Sequence, residues 1–483
     1  MRHIISLLIL ALSPVASGAG DPVVGQKVFL KDGAVPKVGN TVVDSAKITF
    51  PATVEDVNEE WLWLGRAWVR KTEVMSAEEA LEYYSRRIQE QPTKSSLWTC
   101  RGSVWSNNHE YDKALLDYDE AIRLNPTNAT AYNNRGGTWH RKGQFDKALK
   151  DYMEAVRIEP TDAMFVCNRG AAWESKGELD NAFKDYTEAI RLDPTKASAI
   201  CRRADVWRIK GELDKALNDY TEAIRLDPRD AMTFYNRGIA WESKGEFDKA
   251  IKDYTETIRL NPGFSWAHNN RGSIWAKKGE LDKAVVDINE ALRLDEKNGV
   301  AFNNRGYVSL MKGDFDKAIQ DCTEAIRLNP EYAPAYGNRG AAWLWKDDWD
   351  AALDDLTEAI RLNPNSISTC NNIALLRATC RVDRYRDGKQ AVEYATKACE
   401  ISGWKDWGNL GTLAAAYAES GDFPNAIKWA EKTIELAPAN DKEFWTGRLE
   451  LYRANRPYRA MGNTVSDHPT SKDGEEGILP SPN

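Results

Sequence analysis

Histidine and cysteine are the side chains best suited to acid–base, nucleophilic or metal chemistry near neutral pH, and here they are few and scattered. His109, His140 and His268 stand at unrelated positions, His3 lies in the apolar start and His468 near the end. No metal-ligand spacing, nucleophile elbow or phosphate-cradling glycine loop occurs. The sequence therefore predicts no catalytic residue, no metal and no cofactor, and the protein reads as a non-enzyme. Its carboxylates fall at helical intervals opposite Lys and Arg, the pattern of solvated helix faces. The seven cysteines are Cys100, Cys167, Cys201, Cys322, Cys370, Cys380 and Cys399, an odd number that leaves at least one thiol free.

One pairing of charges does recur. Arg101, Arg135, Arg169, Arg203, Arg237, Arg271, Arg305 and Arg339 are each followed sixteen residues later by an aspartate: Asp117, Asp151, Asp185, Asp219, Asp253, Asp287, Asp321 and Asp355. Further on, Arg gives way to Ile373 and Leu413 while Asp gives way to Tyr394 and Trp429, so both are lost together. A partly buried guanidinium needs a carboxylate fork. The spacing predicts that each Arg bridges to its Asp across two neighbouring elements.

Those elements belong to a 34-residue period, marked by Pro92, Pro126, Pro160, Pro194, Pro228, Pro262, Pro330 and Pro364, with Glu296 filling the one gap. Small residues recur within it: Gly136, Gly170, Gly238, Gly272, Gly306 and Gly340 at one position, and Ala148, Ala182, Ala216, Ala250, Ala284, Ala318 and Ala352 at another. They let two helices approach closely. Each period carries two amphipathic helices, in the second repeat over 130–141 and 145–158, with Gly143 ending the first and Pro160 closing the second. Antiparallel helices bring the start of one beside the end of the other, which makes Cys370 and Cys399 the candidate disulfide.

The pattern Tyr132, Gly136, Trp139, Ala148, Tyr152, Ala155, Pro160 resembles the tetratricopeptide repeat (TPR). About ten units over 95–440 are in register, the ninth (367–406) stretched by 381–388 between its helices. The resemblance implies a mainly α fold, a right-handed α-solenoid whose first helices line a concave groove, and a protein-binding scaffold. In the family's register, first-helix positions two, five, nine, twelve and thirteen face that groove. These are polar in the second repeat (Thr130, Asn133, Gly137, His140, Arg141) and mixed in the fourth (Ser198, Cys201, Asp205, Arg208, Ile209). Repeats five to eight place Met232, Tyr235, Ile239, Trp266, Val300, Tyr307, Leu310, Met311, Leu344 and Trp345 there, an apolar stripe beyond what packing within a repeat requires. A protein or peptide with an apolar segment is the expected partner.

Residues 1–19 read as a secretory signal: Arg2, an apolar run over 4–12, then small residues. Residues 22–75 alternate with β-favouring residues at 27–30, 47–50, 53–57, 61–64 and 67–70, predicting short strands. The five strands suggest a small all-β barrel, and the run Trp61-Leu-Trp-Leu64, a tight turn and Ala67-Trp-Val69 resemble a bacterial SH3-like domain, in which Trp61, Trp63 and Trp68 either fill the core or line an aromatic ligand groove. A lead-in helix follows over 76–94, opened by the capping box Ser76-Ala-Glu-Glu79. A capping helix is expected over 441–455 and a disordered tail over 456–483. The run containing Arg384-Tyr-Arg-Asp-Gly388 and Gly403-Trp-Lys-Asp-Trp407 resembles the closing module of secreted bacterial repeat proteins. No stretch after the signal is apolar enough to span a bilayer, so the mature chain is expected in the periplasm or outside the cell. A net charge of -8 argues against nucleic acid as partner. The leading expectation is a secreted binding scaffold; a structural spacer or assembly component of the cell envelope and a regulatory subunit of an unlinked enzyme are the alternatives. The sequence leaves oligomeric state open.

Overall fold

The computed structural model describes residues 74–460 without a break and, before them, short segments between residues 27 and 71. The signal over 1–19, the tail from 461, the strand expected at 47–50 and the side chains of Trp61, Trp63 and Trp68 lie outside the described residues.

The N-terminal strands form two small antiparallel sheets. One runs in the order Thr41–Val42, Lys37–Val38, Trp68–Arg70, Trp61–Trp63, Asp56–Asn58, and the other in the order Ala52–Thr53, Lys27–Leu30, Val74–Met75. The segment read as one strand over 53–57 is thus two, Ala52–Thr53 in the second sheet and Asp56–Asn58 in the first. In the first sheet the backbone of Leu62 is paired in register with Val57 on one side and Val69 on the other. Phe29 and Met75 are buried with Ala80, Tyr84 and Ile88 of the helix Ala77–Glu90. That helix starts at the predicted capping box: Ser76 N donates to Glu79 Oε2 at 2.8 Å, and Glu79 N donates to Ser76 Oγ at 3.2 Å.

Everything from Ser95 to Leu436 is helix pairs, first helices of 13 residues and second helices of 14, as in Ala129–Arg141 with Phe145–Ile158. The second helix buries Ala148, Leu149, Tyr152 and Ala155, apolar or small residues at helical spacing, and exposes its Lys and Glu. The turn between the helices needs a left-handed residue, supplied by Gly143 at φ +71°. Close packing inside a pair depends on the recurrent glycine: a Cβ on Gly238 would stand 2.6 Å from Tyr254 Cε1, and one on Gly306 2.7 Å from Cys322 Sγ.

The chain divides into two compact units, Met1–Gly211 and Glu212–Asn483, each with its own stack of pairs. The first holds the strands, the lead-in helix, repeats one to three and the first helix of repeat four, Ala197–Ile209. The second runs from Leu213–Leu226 through the long ninth repeat (Ile367–Thr379 and Gly388–Ile401) and the tenth (Trp407–Glu419 and Phe423–Leu436) to a last helix, Lys442–Arg453. Leu449 and Tyr452 of that helix close the apolar face of repeat ten against Ala414, Ala418, Ala426 and Ala430. Residues 456–460 correct one expectation: they pack back on the repeats, with Tyr458 over the buried Arg448 at 3.8 Å from Cζ to ring centroid.

Candidate binding face of the first helices

Every repeat with both members of its charge pair inside one unit closes it as a fork. Arg237 Nε donates to Asp253 Oδ2 at 2.8 Å and Nη2 to Oδ1 at 2.7 Å. The same two bonds join Arg101–Asp117, Arg135–Asp151, Arg169–Asp185, Arg271–Asp287, Arg305–Asp321 and Arg339–Asp355. The aspartates are buried. Burial pushes Asp151 upward despite the Arg135 bonds, whereas at Asp287, also buried, the Arg271 bonds and the neighbouring His268 hold the carboxyl below its ordinary value. His268 Nδ1 stands 3.5 Å from Asp287 Oδ1. These charges hold helices together and leave little for a substrate.

The guanidinium's third nitrogen reaches the preceding second helix: Arg305 Nη1 donates to Asn289 at 2.9 Å and Arg339 Nη1 to Thr323 at 3.0 Å. A second set of rungs joins the lysine after the first helix of repeats two to eight to an aspartate thirty residues earlier, as in Lys278–Asp248 at 2.6 Å and Lys312–Asp282 at 2.7 Å. Along the first helices themselves runs a ladder of amides. Asn168 donates to Asn133 at 2.9 Å, Asn304 to Asn269 at 3.0 Å and Asn338 to Asn303 at 3.0 Å, while Asn270 donates to the Tyr235 hydroxyl at 3.1 Å. Sequence reasoning missed this ladder although its signal, Asn at position six of most repeats, was in plain register.

The predicted stripe divides in two. Trp266 is exposed at 38%, and Met232, Tyr235, Ile239, Val300, Tyr307, Met311 and Trp345 are half-buried. Leu310 at 3% and Leu344 at 8% correct the expectation for those two residues. They enter a cluster with Ile373, Leu376 and Cys380, because position twelve of one repeat packs against the next first helix. Tyr235 packs edge-on to Phe264 at 4.8 Å, and Trp345 stacks on Phe315 at 5.6 Å with the planes 5° apart. These aromatics are therefore braced from behind.

All seven cysteines are free thiols, and all but Cys100 are buried. Cys370 and Cys399 stand as separate thiols in the structure. Burial pushes Cys370 up, and Cys399 up to about 12, which keeps both protonated and chemically inert. Among the described residues no group of three or more His, Cys, Asp or Glu is placed to hold a metal, and no helix is long and apolar enough to cross a membrane.

Antiparallel pairs in a 34-residue period, a close-approach glycine and first helices side by side define a helical-repeat protein. The tetratricopeptide repeat model matches residues 129–162, 231–264 and 299–332, a second TPR model matches 109–143 and 204–242, and a third covers 267–298. The chain carries tetratricopeptide repeats. No curated protein sequence matches it. Among solved structures, MamA is 30% identical over 34% of this chain and 95% of its own, with a TM-score of 0.32. The Cut9–Hcn1 hetero-tetramer of APC/C is 16% identical over 67% of this chain and 76% of its own, TM-score 0.47. YrrB, described as a TPR protein with an unusual peptide-binding site, is 23% identical over 39% and 96%, TM-score 0.32.

Proposed function

We propose that this chain is a non-enzymatic scaffold that holds a protein or peptide by an apolar segment laid on the first helices of repeats five to eight. The observation that carries the reading is the surface of Trp266, Val300, Tyr307, Met311 and Trp345, apolar side chains that intra-repeat packing leaves partly open to solvent. An aromatic side chain already held in place, as Trp345 is by Phe315, loses little entropy on binding, and aromatic anchors supply most of the energy of a contact. The amide ladder beside them frames the patch with polar groups, as interfaces that must exchange water for ligand require. The signal-like residues 1–19 support a site of action beyond the inner membrane, and N-terminal sequencing of the processed chain tests that part.

Selection from a random 12-residue peptide library tests the role. The reading expects enriched peptides with two or more large apolar residues at fixed spacing. Enrichment of uniformly charged peptides, or none at all, contradicts it.

A further inference from the structure

The first helix of repeat nine ends unlike the two before it. Repeats seven and eight turn back through one left-handed residue each, Gly313 at φ +77° and Asp347 at φ +60°. The turn's own amides then cap the helix, as where Asp348 N donates to the Trp343 carbonyl at 3.1 Å. In repeat nine Cys380 leaves the helix extended, at φ -54° and ψ 137°, so the last carbonyls of Ile367–Thr379 need donors from elsewhere. Arg377 O accepts from Asp387 N at 3.0 Å, Ala378 O from Arg459 Nη1 at 3.4 Å, Thr379 O from Ala460 N at 3.1 Å and Cys380 O from Arg386 Nη1 at 2.9 Å.

Two of those donors, Arg459 and Ala460, belong to the segment that returns after the helix Lys442–Arg453. Charge fastens it beside the helix end: Arg459 Nη1 stands 2.6 Å from Glu419 Oε2, and Arg386 Nε donates to Glu419 Oε1 at 3.0 Å from the other side. The Glu419 side chain is 13% exposed, which spares both pairs much of the screening that open charges suffer. What these contacts hold is the backing of Trp345. Cys380 is buried with Leu310, Leu344 and Tyr385 in the cluster on which both Trp345 and Phe315 pack. Arg381 donates to Asp347 at 2.9 Å, in the turn two residues beyond Trp345.

We propose that Arg459 is a positioning residue for the ligand face: by holding the end of repeat nine's first helix, it fixes the surface that keeps the Trp345 indole in its binding orientation. Resting on the binding role above, this assigns a residue that supports the face from behind. With Arg459 gone, residues 378–380 loosen, and the indole loses its freedom only when a ligand arrives, which weakens affinity.

The tightest library-selected peptide, labelled with fluorescein, is titrated into the full chain, R459A, R459K, W345A, W266A, R459A/W345A and R459A/W266A. R459A is expected to bind about tenfold more weakly with unchanged circular dichroism, and R459K, which keeps a cation beside Glu419, to recover most of the loss. Adding R459A to W345A should change nothing further, because the indole it positions is gone, whereas adding it to W266A should give the full loss again. Equal affinity for the unaltered chain and R459A overturns the positioning role, as does an undiminished loss on the W345A background. Alkylation of the native chain with iodoacetamide, mapped by mass spectrometry, follows the helix end itself: Cys380 should react faster in R459A while Cys399, buried in the same repeat, stays protected. Equal protection of Cys380 in both chains, or exposure of both thiols together, overturns the positioning role as well. An unaltered chain that binds no library peptide refutes the binding role and the positioning with it; one that binds as R459A does refutes the positioning alone.

Discussion

In seven repeats one arginine spreads Nε and Nη2 over both oxygens of one aspartate, and the geometry sets the cost of breaking it. The Arg237 side chain is 18% exposed and that of Asp253 is 7% exposed. Asp253→Ala strands a largely desolvated guanidinium and is expected to cost about 3 kcal/mol in urea unfolding. Replacing both partners with apolar residues, R237M/D253L, should cost far less. Asp248→Ala, which removes the exposed partner of Lys278, should leave unfolding unchanged. Acid gives an independent reading at Asp287. Its pKa is lowered in the fold, so the unfolded chain takes up its proton first; its contribution is complete above pH ~4 and is lost as pH falls through the lower folded value. Asp287→Asn should flatten that part of the acid-unfolding curve, and an unchanged curve would refute the assignment. The fork was legible in the sequence because Arg and Asp recur, and vanish, together. The rungs from Nη1 to Asn289 and Thr323 were not, because their acceptor changes type from repeat to repeat.

At the scale of the helix, two glycines on the first helices of repeats five and two should answer substitution with opposite signs. A Cβ on Gly238 meets the buried Tyr254 ring at 2.6 Å, so Gly238→Ala overpacks by about 2 kcal/mol. Helix propensity returns about 1 kcal/mol, and the expected net loss is about 1 kcal/mol. On Gly137 a Cβ would reach only the Tyr152 hydroxyl, at 3.5 Å, so Gly137→Ala keeps the propensity gain and should stabilise by up to about 1 kcal/mol. Thermal unfolding of both variants checks the pair of signs. The helix pairs were readable from the 34-residue register and the turn glycine. What the register hid was packing between repeats: positions five and twelve look alike within one repeat, yet Leu310 and Leu344 are covered by the following first helix. The same blindness concealed the return of residues 456–460, whose partners Thr379 and Glu419 lie far away in sequence.

Among the described residues, charge pairs fasten the repeats, six of the seven thiols are buried, and the first helices of repeats five to eight carry the partly open Trp266, Tyr307, Met311 and Trp345, while the exposed Val286 lies on a second helix. The unreduced protein, denatured and titrated with a thiol reagent, should yield seven free groups; five would mean that a disulfide forms. The reading of those helices as a binding face is the central claim. Its most direct measurement is calorimetric titration of the best library-selected peptide into the full chain and into W266A/Y307A/W345A, with circular dichroism to confirm unchanged helicity. Loss of an aromatic anchor is worth about 2 kcal/mol at a contact centre, and every 1.4 kcal/mol is tenfold. The account predicts a fall in affinity of a hundredfold or more with the helical signal intact; a folded triple variant that binds the peptide as tightly as the parent chain would contradict it.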